Sequence, residues 1–406
     1  MVRDTVIVGA GIAGLWLAEQ IAKRGHRVLV LEKYDYFGGR VLTSAKHGVE
    51  VGAGRIHERH WRVGTLLKRF GMDTVPLSTK ADWRSVGSTE AEPALFEDVW
   101  KFVLAEIARL SPRTLATHTL RELADSVLGR KAAKALLDRY PYRAEVEKMR
   151  ADLGIASFHA EMGTRAGYFG VRGGLTQLTD ALVAACRAVG VRFRKGAAVT
   201  RVVPSVEGYE LHLADGAKPV KARRVILATH VAALAKMELP AEVRAGDLAQ
   251  LGMAPLTRVY ATYPTSGGVA WFADLPKTVT DSPLRYIIPI NPAKGMIMIS
   301  YVDDRDTTAW KGLKGPALIT AIQTELRRLM PERTIPEPTW MHAYEWTDGC
   351  TYWRPGAYNP HEVAARLMHP AAGLWIAGES LSVGQQAWME GALAVAEDVL
   401  GSYLLA

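Results

Sequence analysis

A glycine-spaced turn between two apolar runs near the N-terminus constrains this 406-residue chain more than any other feature. Thr5 to Val8 reads as a buried strand, Gly9-Ala10-Gly11-Ile12-Ala13-Gly14 follows, a helical stretch reaches about Lys23, and Val28 to Leu31 reads as a second strand. That order spells a βαβ unit. Each glycine has its own reason: Gly9 lets the chain turn tightly, Gly11 lets backbone approach a pyrophosphate, and Gly14 lets the helix close on the sheet. Phosphate oxygens would then meet the first amides of the helix. Glu32 closes the second strand about 20 residues past the glycines, where a carboxylate accepts hydrogen bonds from both hydroxyls of an adenosine ribose. A dinucleotide is the expected ligand.

Composition narrows the class further. With 49% hydrophobic and 23% charged residues the chain sits near the globular average, which excludes disorder, collagen-like repeats and coiled coil. Its length predicts two or three units. Cys186 and Cys350 lie far apart, so neither a disulfide framework nor a paired metal-ligand spacing is expected. The opening residues run straight into a strand without the apolar core and cleavage site of a signal peptide, and no apolar run approaches the length of a bilayer span. A soluble, cytoplasmic protein with no membrane contact is therefore expected. The formal charge of +8 suits an acidic ligand, and the cations are scattered without a groove-reading or base-stacking motif, so no nucleic-acid partner is expected. His57 and His60 form an HxxH without further ligands, which reads as a solvated loop pair and not a metal site.

Gly38-Gly39-Arg40 follows six residues after Glu32 and supplies close backbone approach plus a charge-assisted contact to the same pyrophosphate. With the run Glu50-Val51-Gly52-Ala53-Gly54-Arg55, the block Leu374-Trp375-Ile376-Ala377-Gly378-Glu379 and the final Trp388-Met389-Glu390-Gly391-Ala392, the pattern resembles the flavin-containing amine oxidase superfamily. The cofactor that this resemblance implies is FAD. Its implied contacts are Gly9, Gly11, Gly14, Glu32, Lys33, Gly39, Arg40, Ala53, Gly54, Arg55, Val199, Trp346, Gly378, Glu379, Trp388, Met389 and Ala392. The implied fold is α/β, with a discontinuous Rossmann-like FAD-binding domain (1–78, 167–238 and 362–406), a β-rich substrate-binding domain (79–90 and 239–361) and a helical subdomain (91–166). In the last, Phe96, Val99, Trp100, Val103, Leu104 and Ile107 are spaced for one buried face. Alternating apolar residues in 257–263, 285–290 and 296–302 predict an antiparallel sheet.

Arg55 narrows the substrate. A guanidinium fork binds a carboxylate through two parallel hydrogen bonds, and the L-amino-acid oxidase group resembles this chain in carrying an arginine there for the substrate carboxylate. The alternative is that Arg55 pairs with a local acid, Glu50 or Glu58. Further stretches, among them Pro255 to Arg258 and Asp281 to Arg285, resemble L-tryptophan-oxidising members, so an aromatic side chain is among the candidates. Where the family usually has a lysine holding a water against flavin N5, this chain has Arg258, whose planar fork is not interchangeable with an ammonium. Trp388 falls where the family places an aromatic beside the flavin, and Trp346, Tyr352 or Trp353 would complete an aromatic wall for a neutral amine. Cys350 resembles a site of covalent flavin attachment, although the amino-acid oxidase group implies noncovalent FAD. The expected reaction is oxidation of an L-amino acid by hydride transfer to N5, giving the imine and 2-oxo acid, with O2 reduced to H2O2. The alternatives are a primary-amine or polyamine oxidase and a flavin-binding protein with little oxidase activity. A homodimer is compatible with either.

Overall fold

The computed structural model describes residues 3–78, 80–88, 92–93, 96–161 and 167–406. Strand Arg3–Val8 has a parallel neighbour on each side, Val28–Leu31 and Val220–Leu227. Parallel pairing continues outward to Arg192–Arg194 on one flank and Leu374–Ile376 on the other. Val6, Ile7, Val30, Leu31, Val225, Ile226 and Leu227 are all buried, as strands covered on both faces require. Val199–Ser205 and Gly208–Leu213 add an antiparallel extension. Helix Ile12–Ala22 packs against both Thr176–Ala188 and Met389–Leu405. The first, middle and last parts of the chain thus build one Rossmann-like sheet with one core.

A second seven-stranded sheet runs in the order Trp340–Trp353, Leu251–Thr262, Met296–Asp303, Tyr286–Asn291, Lys277–Thr280, Ala81–Arg84, Glu92–Pro93. It is antiparallel as expected except where Lys277–Thr280 pairs parallel to Ala81–Arg84. Helix Gly315–Leu329 covers it through Leu318, Ile322 and Leu326, which are fully buried or nearly so. The fold is α/β with a separate β-rich layer.

Between 96 and 161 the chain forms short helices around their own core, including Leu120, Leu137, Val146 and Phe158. Val99, Val103 and Ile107 are buried as their spacing predicts. Leu104 is 42% exposed, because Phe96–Phe102 gives way to a π-helical turn at Val103–Ile107 whose extra residue rotates it outward. The side chain of Phe96, like residues 91, 94–95 and 162–166 of the expected helical stretch, lies outside the described residues. Glu92–Pro93, expected to be helical, is instead the edge strand paired with Ala81–Arg84; a proline is tolerated at a sheet edge. Among the described residues no helix is long and apolar enough to cross a membrane.

Candidate active site

A cavity of about 750 Å³ opens along the C-terminal ends of the parallel strands and continues against the second sheet. Ligands of open α/β sheets bind at that edge. Its lining includes Gly9, Gly11, Glu32, Lys33, Gly39, Arg40, Ala53, Gly54, Arg55, Val199, Trp346, Gly378, Glu379, Trp388, Met389 and Ala392. Sixteen of the seventeen residues expected to touch the dinucleotide therefore face one cavity. Gly14 is the exception. A Cβ there would sit 2.1 Å from the Gly9 carbonyl oxygen, so its role is helix-to-turn packing, as its position in the motif predicts.

The glycine-rich turn has room on one side only. A Cβ at Gly9 would strike the Ala228 carbonyl oxygen at 2.5 Å, and its φ of +105° suits only glycine. A Cβ at Gly11 would meet nothing within 4 Å, so backbone is open to the cavity there. The Gly38 amide donates to the Ala10 carbonyl at 2.8 Å, laying the second glycine pair against the first turn. Glu32 is fixed by the amides of Ala10 at 2.7 Å and Tyr34 at 2.9 Å, which leaves acceptor lone pairs on both oxygens. A turn open at Gly11, a bridging glycine pair and a held carboxylate fit a dinucleotide. Arg40, expected on the pyrophosphate, lines the cavity while pairing with Glu379 at 2.5 Å and donating to the Gly349 carbonyl at 3.0 Å.

Elsewhere on the cavity wall, aromatic rings surround a cation. Arg55 lies beside strand Ile56–His57, which pairs with Tyr168–Val171 and so brings Tyr168 alongside. The guanidinium carbon stands 4.9 Å from the Tyr168 ring centre and 5.2 Å from those of Tyr142 and Trp388, and Nη1 donates to Tyr142 Oη at 2.7 Å. Of the two local acids expected as alternative partners of Arg55, Glu50 is taken up by the Thr43 hydroxyl at 2.8 Å and the Leu175 amide at 2.8 Å. Burial pushes the Glu50 carboxyl above its usual range. Arg258 faces Tyr301 across paired strands, stacks 4.9 Å from its ring centre and donates to the Glu50 carbonyl at 3.0 Å. It too lines the cavity, a permanent cation in a buried setting.

The expected aromatic wall is partly rebuilt by the structure. Trp388, Trp346 and Tyr352 line the cavity, and Trp346 is anchored by donation to the Val51 carbonyl at 2.9 Å. Trp353 does not line it. It is 0% exposed in the core of the parallel-sheet layer and donates to the Ser382 carbonyl at 3.0 Å, because neighbours along a strand point to opposite faces. Tyr142 and Tyr301, unmarked by any motif, take its place, with Tyr286 behind them. The histidine pair is not solvated. His57 and His60 are 2% and 6% exposed and pack edge-on against Tyr168 and Trp388 at 5.0 and 4.9 Å. The loop folds inward to brace the rings, and burial, with the charge of Arg55, pushes His60 down to about 4. Among the described residues no cluster of three metal-ligating side chains occurs.

Ala387, next to Trp388, takes a φ of +62°, a conformation that costs an L-residue about 1 kcal/mol or more. Its amide donates to Glu379 at 2.8 Å, which fixes the turn that presents Trp388. His230 lines the cavity near Arg40 as a neutral imidazole, pushed down to about 4 by burial and then by the Arg40 charge. Cys350 lines it as well, its thiol pushed up to about 12 by burial.

A sequence model of flavin containing amine oxidoreductases matches residues 12–400, and the chain belongs to that family. The family's name carries its cofactor, a flavin. Among curated relatives, an L-amino-acid oxidase of Echis ocellatus is 35% identical over 108 residues, 23% of this chain and about a fifth (21%) of the relative's own length. Coproporphyrinogen III oxidase of Propionibacterium freudenreichii subsp. freudenreichii is 28% identical over 341 residues, 64% of this chain and 63% of that protein. In structure, cyclohexylamine oxidase from Brevibacterium oxydans IH-35A superposes over all of both chains with a TM-score of 0.79 at 19% identity. A putrescine oxidase redesigned in its cofactor binding covers all of both chains with a TM-score of 0.78 at 18% identity. At such identities the likeness shows the fold.

Proposed function

We propose that the chain oxidises an L-amino acid to its imine, which hydrolyses to the 2-oxo acid, with O2 as electron acceptor and H2O2 as product. The observation that carries this is Arg55, held by Tyr142, Tyr168 and Trp388 on the cavity wall. A guanidinium oriented in this way binds a carboxylate through charge-assisted hydrogen bonds and fixes the attached Cα. The rings around it exclude water and present apolar faces to a neutral amine. The chemistry that FAD would supply when bound is two-electron acceptance from Cα with O2 as the final acceptor.

The remaining residues hold and orient. Glu32 would accept from the ribose, backbone at Gly11 and Gly39 would approach the pyrophosphate, and the first amides of helix Met389–Leu405 would favour nearby negative charge. Arg258 places a fixed positive charge on the cavity wall, which favours anionic electron-rich states of what binds there. FAD is held without a covalent bond in this reading: attack by sulfur needs the thiolate, and burial keeps Cys350 protonated. The two sheets and the helical layer would act as FAD-binding, substrate-binding and covering units.

Arg55→Met tests the assignment. Losing two charge-assisted hydrogen bonds should lower kcat/KM for L-amino acids by about 100-fold while the protein stays yellow. An unchanged kcat/KM would remove it. A second reading, an amine or diamine oxidase in which Arg55 only braces the rings, draws on the likeness to cyclohexylamine and putrescine oxidases.

A further inference from the structure

Tyr142, whose phenol meets Arg55, stands immediately before helix Arg143–Glu147, and that helix starts on a carboxylate. Asp303, ending strand Met296–Asp303, accepts the Arg143 amide at 2.7 Å on one oxygen and the Ala144 amide at 2.8 Å on the other. It is 4% exposed and lines the cavity. The clamp therefore joins the second sheet to the helical layer at the residue next to Tyr142. Around it the Arg143 side chain pairs with Asp138 and Asp306, both at 2.8 Å. Arg285, at a φ of +55°, donates to the Asp138 and Tyr140 carbonyls at 2.8 and 2.9 Å.

We propose that Asp303 is a positioning residue for carboxylate binding: as an anion it holds both amides and sets the Tyr142 phenol on Arg55, and once protonated it releases one amide and loosens that contact. This rests on the reading of Arg55 as the carboxylate site. A protonated carboxyl offers one good acceptor where the anion offers two. Burial pushes Asp303 up to about 6 against the pull of the two amides, and the charges of Asp306 and Asp304 push the same way. The other groups around it are Arg143 and Arg285, Arg258 on the paired strand where Leu256 faces Asp303, and the protonated Cys350. A carboxyl whose pKa rises on folding favours the folded state as pH falls. Protonation of this group therefore releases the clamp without itself favouring unfolding.

The test measures benzoate, a carboxylate with no oxidisable amine, by calorimetry on the holoenzyme between about pH 7.5 and about pH 5, with Asp303→Asn beside wild type. Amide hydrogen exchange at Arg143 and Ala144 is followed in the same samples. Wild type should lose roughly tenfold in affinity on acidification, the variant should bind weakly and without that dependence, and the protection of both amides, measured against their slower intrinsic exchange in acid, should fall in the variant and in acidified wild type. Equal affinity with equal pH dependence in the two proteins, or unchanged protection of both amides in acidified wild type, overturns the proposal. If the variant does not fold, the wild-type pH series and its exchange decide alone. Lower protection in acid without benzoate binding at any pH supports the clamp and removes the carboxylate reading of Arg55 instead.

Discussion

Arg40 and Glu379 stand 339 residues apart in the chain, and their side chains meet at 2.5 Å beside the cavity. Glu379 also accepts the Thr351 hydroxyl at 2.7 Å and the Ala387 amide at 2.8 Å, so one carboxylate ties together the second glycine pair, the longest strand and the turn before Trp388. The pieces that enclose the cavity are locked by a charge that sequence order keeps remote.

Removing that carboxylate should therefore be costly. Burial works to raise the Glu379 pKa, but the Arg40 charge and the three hydrogen bonds outweigh it and hold the carboxyl below its usual range. A depressed carboxylate contributes stability above its unfolded pKa and loses it as pH falls through the folded one. Glu379→Gln, which leaves Arg40 without its partner, should cost about 3 kcal/mol at neutral pH. Melting temperatures from neutral to acid pH check this: the gap between wild type and variant should close in acid, and a constant gap would contradict it.

The two small positions of the first turn should respond differently to the same added methyl. Gly14→Ala puts a Cβ 2.1 Å from backbone and should destabilise the apoprotein by several kcal/mol. Gly11→Ala meets no protein atom within 4 Å and should fold normally yet lose flavin, because the methyl projects where the pyrophosphate must approach. Thermal melts and the flavin-to-protein absorbance ratio of the purified proteins separate the two effects. A flavin-loaded Gly11→Ala would contradict the assignment of that turn.

How much of this was legible in the sequence depended on whether a residue's role was local. The glycines, Glu32 and the last helix declared themselves through spacing, because a tight turn and a helix start are set within a few residues. Tyr142, Tyr301 and Asp303 carried no such mark: each is an ordinary residue until sheet register and the helical layer bring it to Arg55, to Arg258 or to an amide. Trp353 and the histidine pair were misplaced for related reasons. A strand's facing depends on its partner, and a polar HxxH says nothing of the aromatic rings that cover it.

Cys350 provides a check on how the cofactor is held. Its thiol is kept protonated by burial, with the nearby Asp303 charge acting in the same sense. Acid precipitation of the purified protein should release the flavin into the supernatant and leave a pellet without flavin fluorescence. Flavin retained in the pellet, and lost from it in Cys350→Ala, would establish the covalent bond that the noncovalent reading denies.

If Arg55 binds the substrate carboxylate, the protein oxidises amino acids in preference to simple amines. The most direct measurement is anaerobic reduction of the bound flavin, followed by loss of its visible absorbance, by a panel of L-amino acids and by the amines that remain when each loses its carboxylate. Bleaching by at least one L-amino acid, with its decarboxylated amine slower by about 100-fold or more, is the predicted result. Faster bleaching by the amines, or none by either set, would contradict it.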